Sequence, residues 1–164
     1  MFGLAVLTVS TSGYHGQRQD DASGDKIKEM LPPPDYELVR YEIVSDDKEM
    51  IAQRMAEWAD AADVNLIVST GGTGLGPSDI TPEACLSIID REVPGLAETM
   101  RAETLKFTPM AMISRSVAGT RGKTLIITLP GSVKGVAETL EVVMPVLPHA
   151  LELLRRESMQ DHPV

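Results

Sequence analysis

Short apolar runs alternate along this chain with segments whose apolar residues recur at helical spacing. Residues 4–10 (LAVLTVS), 37–44 (ELVRYEIV), 64–70 (VNLIVST) and 124–129 (TLIITL) read as strands. Segments 24–31, 47–62, 82–90 and 95–107 read as helices, and 133–156 as a last helical region that Pro145 and Pro148 kink or divide. In 47–62, Ile51, Met55, Trp58, Ala59 and Ala62 draw one apolar stripe, while Glu49, Gln53, Arg54, Glu57 and Asp60 are left for solvent, so that helix covers a sheet. A further strand is expected at 110–114 (MAMIS), a turn at 118–123 (AGTRGK) and a connector at 32–34 (PPP). The alternation predicts an α/β fold with a parallel sheet.

The polar punctuation of this pattern is concentrated after the strands. VSTSGYHG follows the first strand, VSDD the second, STGGTG the third and LPGSVKG the last. In a parallel sheet the carboxyl ends share one edge, where ligands bind, so these turns converge on one place. The stretch TGGTGLGP offers backbone that can approach a ligand closely, and a side chain at Gly72 would obstruct that approach or force an unfavourable φ. It is not a Rossmann loop, since Pro77 stands where a glycine is needed. The Gly122-Lys123-Thr124 triplet is no Walker loop, because Val117 occupies the earlier glycine position and a strand follows.

Asp79 lies between this loop and a helix start that Thr81 can cap, with Pro82 and Glu83 suited to the first turn, which leaves Asp79 free. Asp46 has two open readings: a cap paired with Glu49, or a carboxylate at the end of a neighbouring strand. Asp46 and Asp79 together would suit magnesium, a hard ion held by one or two carboxylates. Ser132 begins a helix whose amide end attracts anions, and Lys134 adds a positive charge or is simply solvated. Gly131-Ser132 lacks the spacing of a serine-hydrolase elbow.

Composition narrows the classes. A chain of 164 residues favours one domain, spanning 1–164, with no internal repeat or linker. A net charge of -9 without a basic cluster argues against a nucleic-acid partner. No apolar run suits a membrane span and the N-terminus lacks a signal-peptide pattern, so a cytoplasmic location with no membrane partner is expected. His15, His149 and His162 are scattered, and Cys85 reads as core packing rather than a nucleophile. Met50, Met55, Met100, Met110 and Met112 read as core filler.

TGGTGLGPSDITPEA, REVPGLAETMR, SRSVAGTRGKTLIITLPGSVKG and DDASG at 20–24 closely resemble the MoaB/Mog family of molybdenum-cofactor biosynthesis proteins, the molybdopterin adenylyltransferases. The resemblance spans nearly the whole chain and implies a three-layer α/β/α sandwich, the molybdopterin-binding fold, assembled as a homotrimer or homohexamer. Apolar Leu96, Met100, Leu105, Phe107, Met110 and Met112 are a second ground for an oligomer. The implied reaction joins molybdopterin and ATP into adenylylated molybdopterin and pyrophosphate, with Mg2+ and with a molybdenumtransferase as partner.

Carried over by residue, the catalytic and metal-associated aspartates are Asp46 and Asp79. Substrate binding falls to Ser10, Thr70, Gly71, Gly72, Thr73, Gly74, Pro130, Gly131, Ser132 and Lys134, with Glu98 and Arg101 near the crevice. A branch of the family has aspartate after the Val-Ser of the first strand, where this chain has Thr11. In such a reaction the nucleophile is an ionised phosphate, so no general base is required, and catalysis rests on in-line positioning and charge neutralisation. Two other readings are a non-catalytic molybdopterin-binding scaffold and a nucleotide hydrolase that needs no pterin; pyrophosphate release with and without molybdopterin separates them.

Overall fold

The computed structural model describes residues 1–156; His162 lies outside them. Six strands form one sheet: β1 (Phe2–Val9), β2 (Tyr36–Val44), β3 (Leu66–Thr70), β4 (Arg91–Glu92), β5 (Ala118–Arg121) and β6 (Thr124–Leu129), in the order β2-β1-β3-β6-β5-β4. The first four in that order are parallel, and β5 and β4 add an antiparallel margin. This is the mostly parallel sheet expected.

Alternate residues of β1 show how both faces are covered. Leu4 and Val6 join a core with α2 (Ala22–Met30), α5 (Pro94–Thr104), α6 (Val133–Val143) and α7 (Leu147–Arg155). Ala5, Leu7 and Val9 face α3 (Lys48–Ala59) and α4 (Thr81–Ile88) instead. Strands buried on both sides need apolar residues at every position, which is why β1 reads as a continuous run. The stripe of α3 is buried at Ile51, Met55, Trp58 and Ala59, whereas Ala62, expected to continue it, lies beyond the end of the helix and is exposed. The final helical region divides where its prolines fall, α6 and α7 being joined by a 3-10 turn at Met144–Val146.

Two further local expectations fail. Residues 110–113 belong to a 3-10 helix, Pro109–Ile113, capped by Ser114 and started by Pro109 and by a Thr108 side chain that accepts from Met110 N. Met110 and Met112 are exposed at 62% and 68%, so they are not core filler and have no strand to pair with. Conversely, part of the expected turn is β5, a strand made by its pairings rather than by propensity: Thr120 pairs with Leu125 on one side and Arg91 on the other. Only Gly122 and Lys123 make the turn, with Gly122 at φ 56°.

Candidate active site

The chain leaves β1 for β2 on one side of the sheet and returns over the other face to β3. The carboxyl ends of β1 and β3 therefore flank a crevice where chain direction across the sheet reverses, the position at which such sheets bind ligands. A cleft of about 520 Å³ occupies it, with Ser10, Asp46, Thr70 and Gly71 in its wall. A second cleft of about 550 Å³ lies beside it, walled by Thr73, Gly74, Pro130 and Lys134. The two share Gly72, Asp79, Gly131 and Ser132. Four turns separated in sequence thus meet around one pair of clefts.

The glycine loop is braced from inside the protein. Gly71 and Gly72 have φ of 101° and 71°, where side chains are disfavoured. A Cβ at Gly72 would lie 2.3 Å from Thr81 Oγ1, so the obstruction there is internal as well as toward any ligand. Thr81 does not cap α4: Ile80 occupies the cap position without a side-chain bond, and the buried Thr81 hydroxyl donates to Gly71 O at 2.9 Å. Arg115, absent from the expected site, fastens the outer side. Its Nε donates to Gly74 O at 2.7 Å, its Nη2 to Asp79 O at 2.8 Å and its Nη1 to Glu83, while its amide donates to Thr73 O at 2.8 Å. The loop's carbonyls are thereby occupied, whereas the amides of Gly72, Thr73 and Gly74 donate to nothing among the described residues. Consecutive unpaired amides of this kind form a nest for an anion.

Asp46 is not the cap of α3; that role belongs to Asp47, whose side chain accepts from Met50 N at 2.9 Å. Asp46 instead uses Oδ2 to accept from Thr11 Oγ1 at 2.7 Å and Thr11 N at 3.2 Å. Asp79 is not free either, since its Oδ2 accepts from Gly76 N at 2.9 Å. Gly74 and Gly76 leave room for that carboxylate: a Cβ at either would stand 2.9 Å from Oδ2. In both aspartates Oδ1 accepts no hydrogen bond among the described residues. Two carboxylates on one cleft, each with an uncommitted oxygen, fit the donor set of a magnesium ion that completes its shell with water and substrate phosphate. No group of three or more His, Cys, Asp or Glu with metal-site geometry occurs among the described residues.

The remaining candidates divide. Ser10 and Ser132 line the clefts while also capping α1 (Thr11–Tyr14) and α6, accepting from Gly13 N and Gly135 N. Thr70 donates to Pro130 O at 2.6 Å, joining two of the turns. Lys134 lines the second cleft and is largely exposed, 3.8 Å from Glu138. Glu98 and Arg101 line neither cleft. Glu98 is exposed on α5, and Arg101 donates to Ser114 O and Ser116 O, supporting a cleft-wall residue from behind.

Asp21, Ser23 and Arg18 line the first cleft and were not among the expected site residues. Asp21 caps α2 through Gly24 N and accepts from Thr8 and Tyr41, each at 2.6 Å. Burial, with this bond to Asp21, raises the Tyr41 pKa above its ordinary value. The Asp-x-x-Gly spacing at 21–24 was the available signal for the cap. Burial pushes the Cys85 thiol up to about 12, which suits its place in the core and removes it as a nucleophile near neutral pH.

Residues 5–149 match the family described as "Probable molybdopterin binding domain", and the chain belongs to that family. Among similar proteins, the molybdopterin adenylyltransferase of Helicobacter pylori is 41% identical over 161 residues, covering 96% of this chain and 90% of the relative. That of Escherichia coli is 37% identical, covering 85% of this chain and 71% of the relative. The molybdopterin biosynthesis enzyme MoaB of Thermus thermophilus superposes with a TM-score of 0.87 at 52% identity, covering 94% of this chain and 96% of that one. The fold is therefore the MoaB/Mog molybdopterin-binding fold.

Proposed function

We propose that this protein adenylylates molybdopterin with ATP, in molybdenum-cofactor biosynthesis. The observation that carries the reading is the pair of clefts meeting at Gly72, Asp79, Gly131 and Ser132, an arrangement suited to holding two substrates with their phosphates at a common wall. The relatives named as molybdopterin adenylyltransferases support the same chemistry.

A phosphate oxygen of molybdopterin attacks the α-phosphorus of ATP. The bond from that phosphorus to the oxygen bridging to the β-phosphate breaks, an anhydride forms, and pyrophosphate departs with the electron pair. The attacking phosphate is already ionised, so a cleft without a histidine suffices. Unpaired amides at 72–74 and the amino end of α6 stabilise phosphate charge, and the turns hold the reacting atoms in line. Asp46 and Asp79 are the residues that would hold magnesium, which would supply neutralisation of phosphate charge.

The protein acts as a homotrimer or homohexamer in the cytoplasm, and its product passes to a molybdenumtransferase. Exposed Leu105, Phe107, Met110 and Met112 support the oligomer. Among the described residues no helix is long and apolar enough to cross a membrane. Light scattering that finds only a 17.7 kDa monomer at micromolar concentration overturns the assembly. The reaction is tested by pyrophosphate release: it should require ATP, Mg2+ and molybdopterin together. Binding of molybdopterin with no release would leave a scaffold; release without molybdopterin would indicate a nucleotide hydrolase.

A further inference from the structure

The first cleft contains a cation that the proposed chemistry has not used. Among the described residues, Arg18 is the only lysine or arginine in its wall, against four carboxylates, Asp20, Asp21, Asp46 and Asp79. It has no hydrogen-bond or ion-pair partner among the described residues, whereas Asp21 is committed to Thr8, Tyr41 and Gly24. The arginine is carried on a strap between α1 and α2 that is fastened at both ends. At its first end Gly16 N donates to Gly13 O and Gln17 N to Ser12 O; at its second, Asp21 makes its three bonds and Ser23 Oγ donates to Gly131 O at 2.6 Å. The last of these, made from the first turn of α2 where the strap ends, bonds to a turn that both clefts share.

We propose that Arg18 is a substrate-binding residue that donates to a phosphate oxygen of the ligand in this cleft. This deepens the adenylyl-transfer reading and rests on the cleft being a substrate site. A polyanion entering a wall of four carboxylates needs positive charge beyond a divalent ion, whose charge two of those aspartates already offset, and guanidinium offers a planar fork matched to phosphate. The strap's fastening limits the ordering cost on binding, since the backbone on either side of Arg18 is already held.

The test uses full-length protein with Arg18→Ala and Arg18→Lys. Equilibrium binding is measured separately for ATP with Mg2+ and for molybdopterin, alongside KM for each substrate and the Tm of each variant. Arg18→Ala should weaken one ligand by about 10- to 100-fold, the loss expected for a charge-assisted hydrogen bond, and raise the KM of that same substrate. The arm that moves identifies whether the phosphate belongs to nucleotide or pterin. Arg18→Lys should recover part of the loss, and Tm should be unchanged in both. Affinities of Arg18→Ala within twofold of the parent overturn the proposal, as does an equal loss of both ligands with a lowered Tm. If the parent binds in an Arg18-dependent way but releases no pyrophosphate, Arg18 stands and adenylyl transfer falls. If the parent turns over and Arg18→Ala is indistinguishable from it, only the Arg18 assignment falls.

Discussion

The hydroxyl of Thr11 donates to Asp46 Oδ2 at 2.7 Å and in return accepts from Asp46 N at 3.1 Å, so the turns after β1 and β2 are tied to each other at the cleft. With Oδ2 held from the β1 side, Asp46 Oδ1 is left for a ligand in a fixed direction. A Cβ at Gly72 would lie 3.5 Å from that same Oδ1, which places the carboxylate beside the glycine loop. Thr11→Val keeps the shape and removes both hydroxyl bonds. Turnover should fall by about tenfold, near the worth of one hydrogen bond, and the Mg2+ concentration for half-maximal rate should rise. Thr11→Ser should restore both. Pyrophosphate release titrated with Mg2+ checks this, and a Thr11→Val profile matching the parent would mean that Asp46 needs no such tether.

Asp79→Asn addresses the second carboxylate. Its Oδ2 accepts from Gly76 N, a bond that the amide oxygen of asparagine can retain, so Tm should change little. Turnover should fall by about 10²–10³, the range for losing one preorganised electrostatic contact to a transition state. Molybdopterin affinity should be largely kept. Parental rates of pyrophosphate release in this variant would remove Asp79 from the catalytic site.

Much of this site was legible because its residues sit where periodicity changes. The apolar runs of β1, β3 and β6 end abruptly in polar or glycine residues, and the parallel sheet brings those ends together. What could not be read was which side chain serves which backbone group. Asp46 and Asp47 are adjacent and chemically identical, and the start of α3 at Lys48 makes Asp47 the cap. Thr81 carries a capping residue's chemistry but lies one position inside α4, where it braces Gly71 instead. Arg115 acts across 41 residues of sequence on Gly74, a contact with no local signature. The strand β5 has no local signature either, since Gly119 and Thr120 are ordered by neighbours on both sides.

Gly72→Val should fail through folding before it fails through binding. A non-glycine residue at φ 71° is strained by about 1–2 kcal/mol, and the 2.3 Å approach to Thr81 Oγ1 adds a clash with a buried hydroxyl that has its own bond to Gly71 O. Denaturant unfolding should show a loss of at least about 2 kcal/mol. Gly72→Ala with the second change Thr81→Ala, which removes the obstructing hydroxyl, should unfold later than Gly72→Ala with Thr81 intact. Equal midpoints would show that backbone strain alone sets the cost.

The Arg115–Glu83 pair should make the stability of the fold depend on pH. The Arg115 guanidinium, hydrogen-bonded to Glu83, holds the Glu83 carboxyl below its ordinary value of 4.5. A lowered folded-state pKa means that the pair's contribution is fully present above that ordinary value. It is lost as pH falls through the folded-state pKa, because protonation is then resisted only by the folded protein. Glu83→Gln should accordingly be less stable than the parent at neutral pH, with the difference narrowing below about pH 4.5. The effect is modest, since both side chains are roughly one-third exposed. Arg115→Lys should do more than Glu83→Gln at every pH. An ammonium cannot reach Gly74 O, Asp79 O and Glu83 together as the guanidinium fork does, so the Asp79 segment loses its outer fastening. Amide hydrogen exchange across residues 73–80 should speed up in Arg115→Lys and remain near the parent's rate in Glu83→Gln. Equal protection in the two variants would show that the ion pair, rather than the bonds to the loop carbonyls, holds the loop in place.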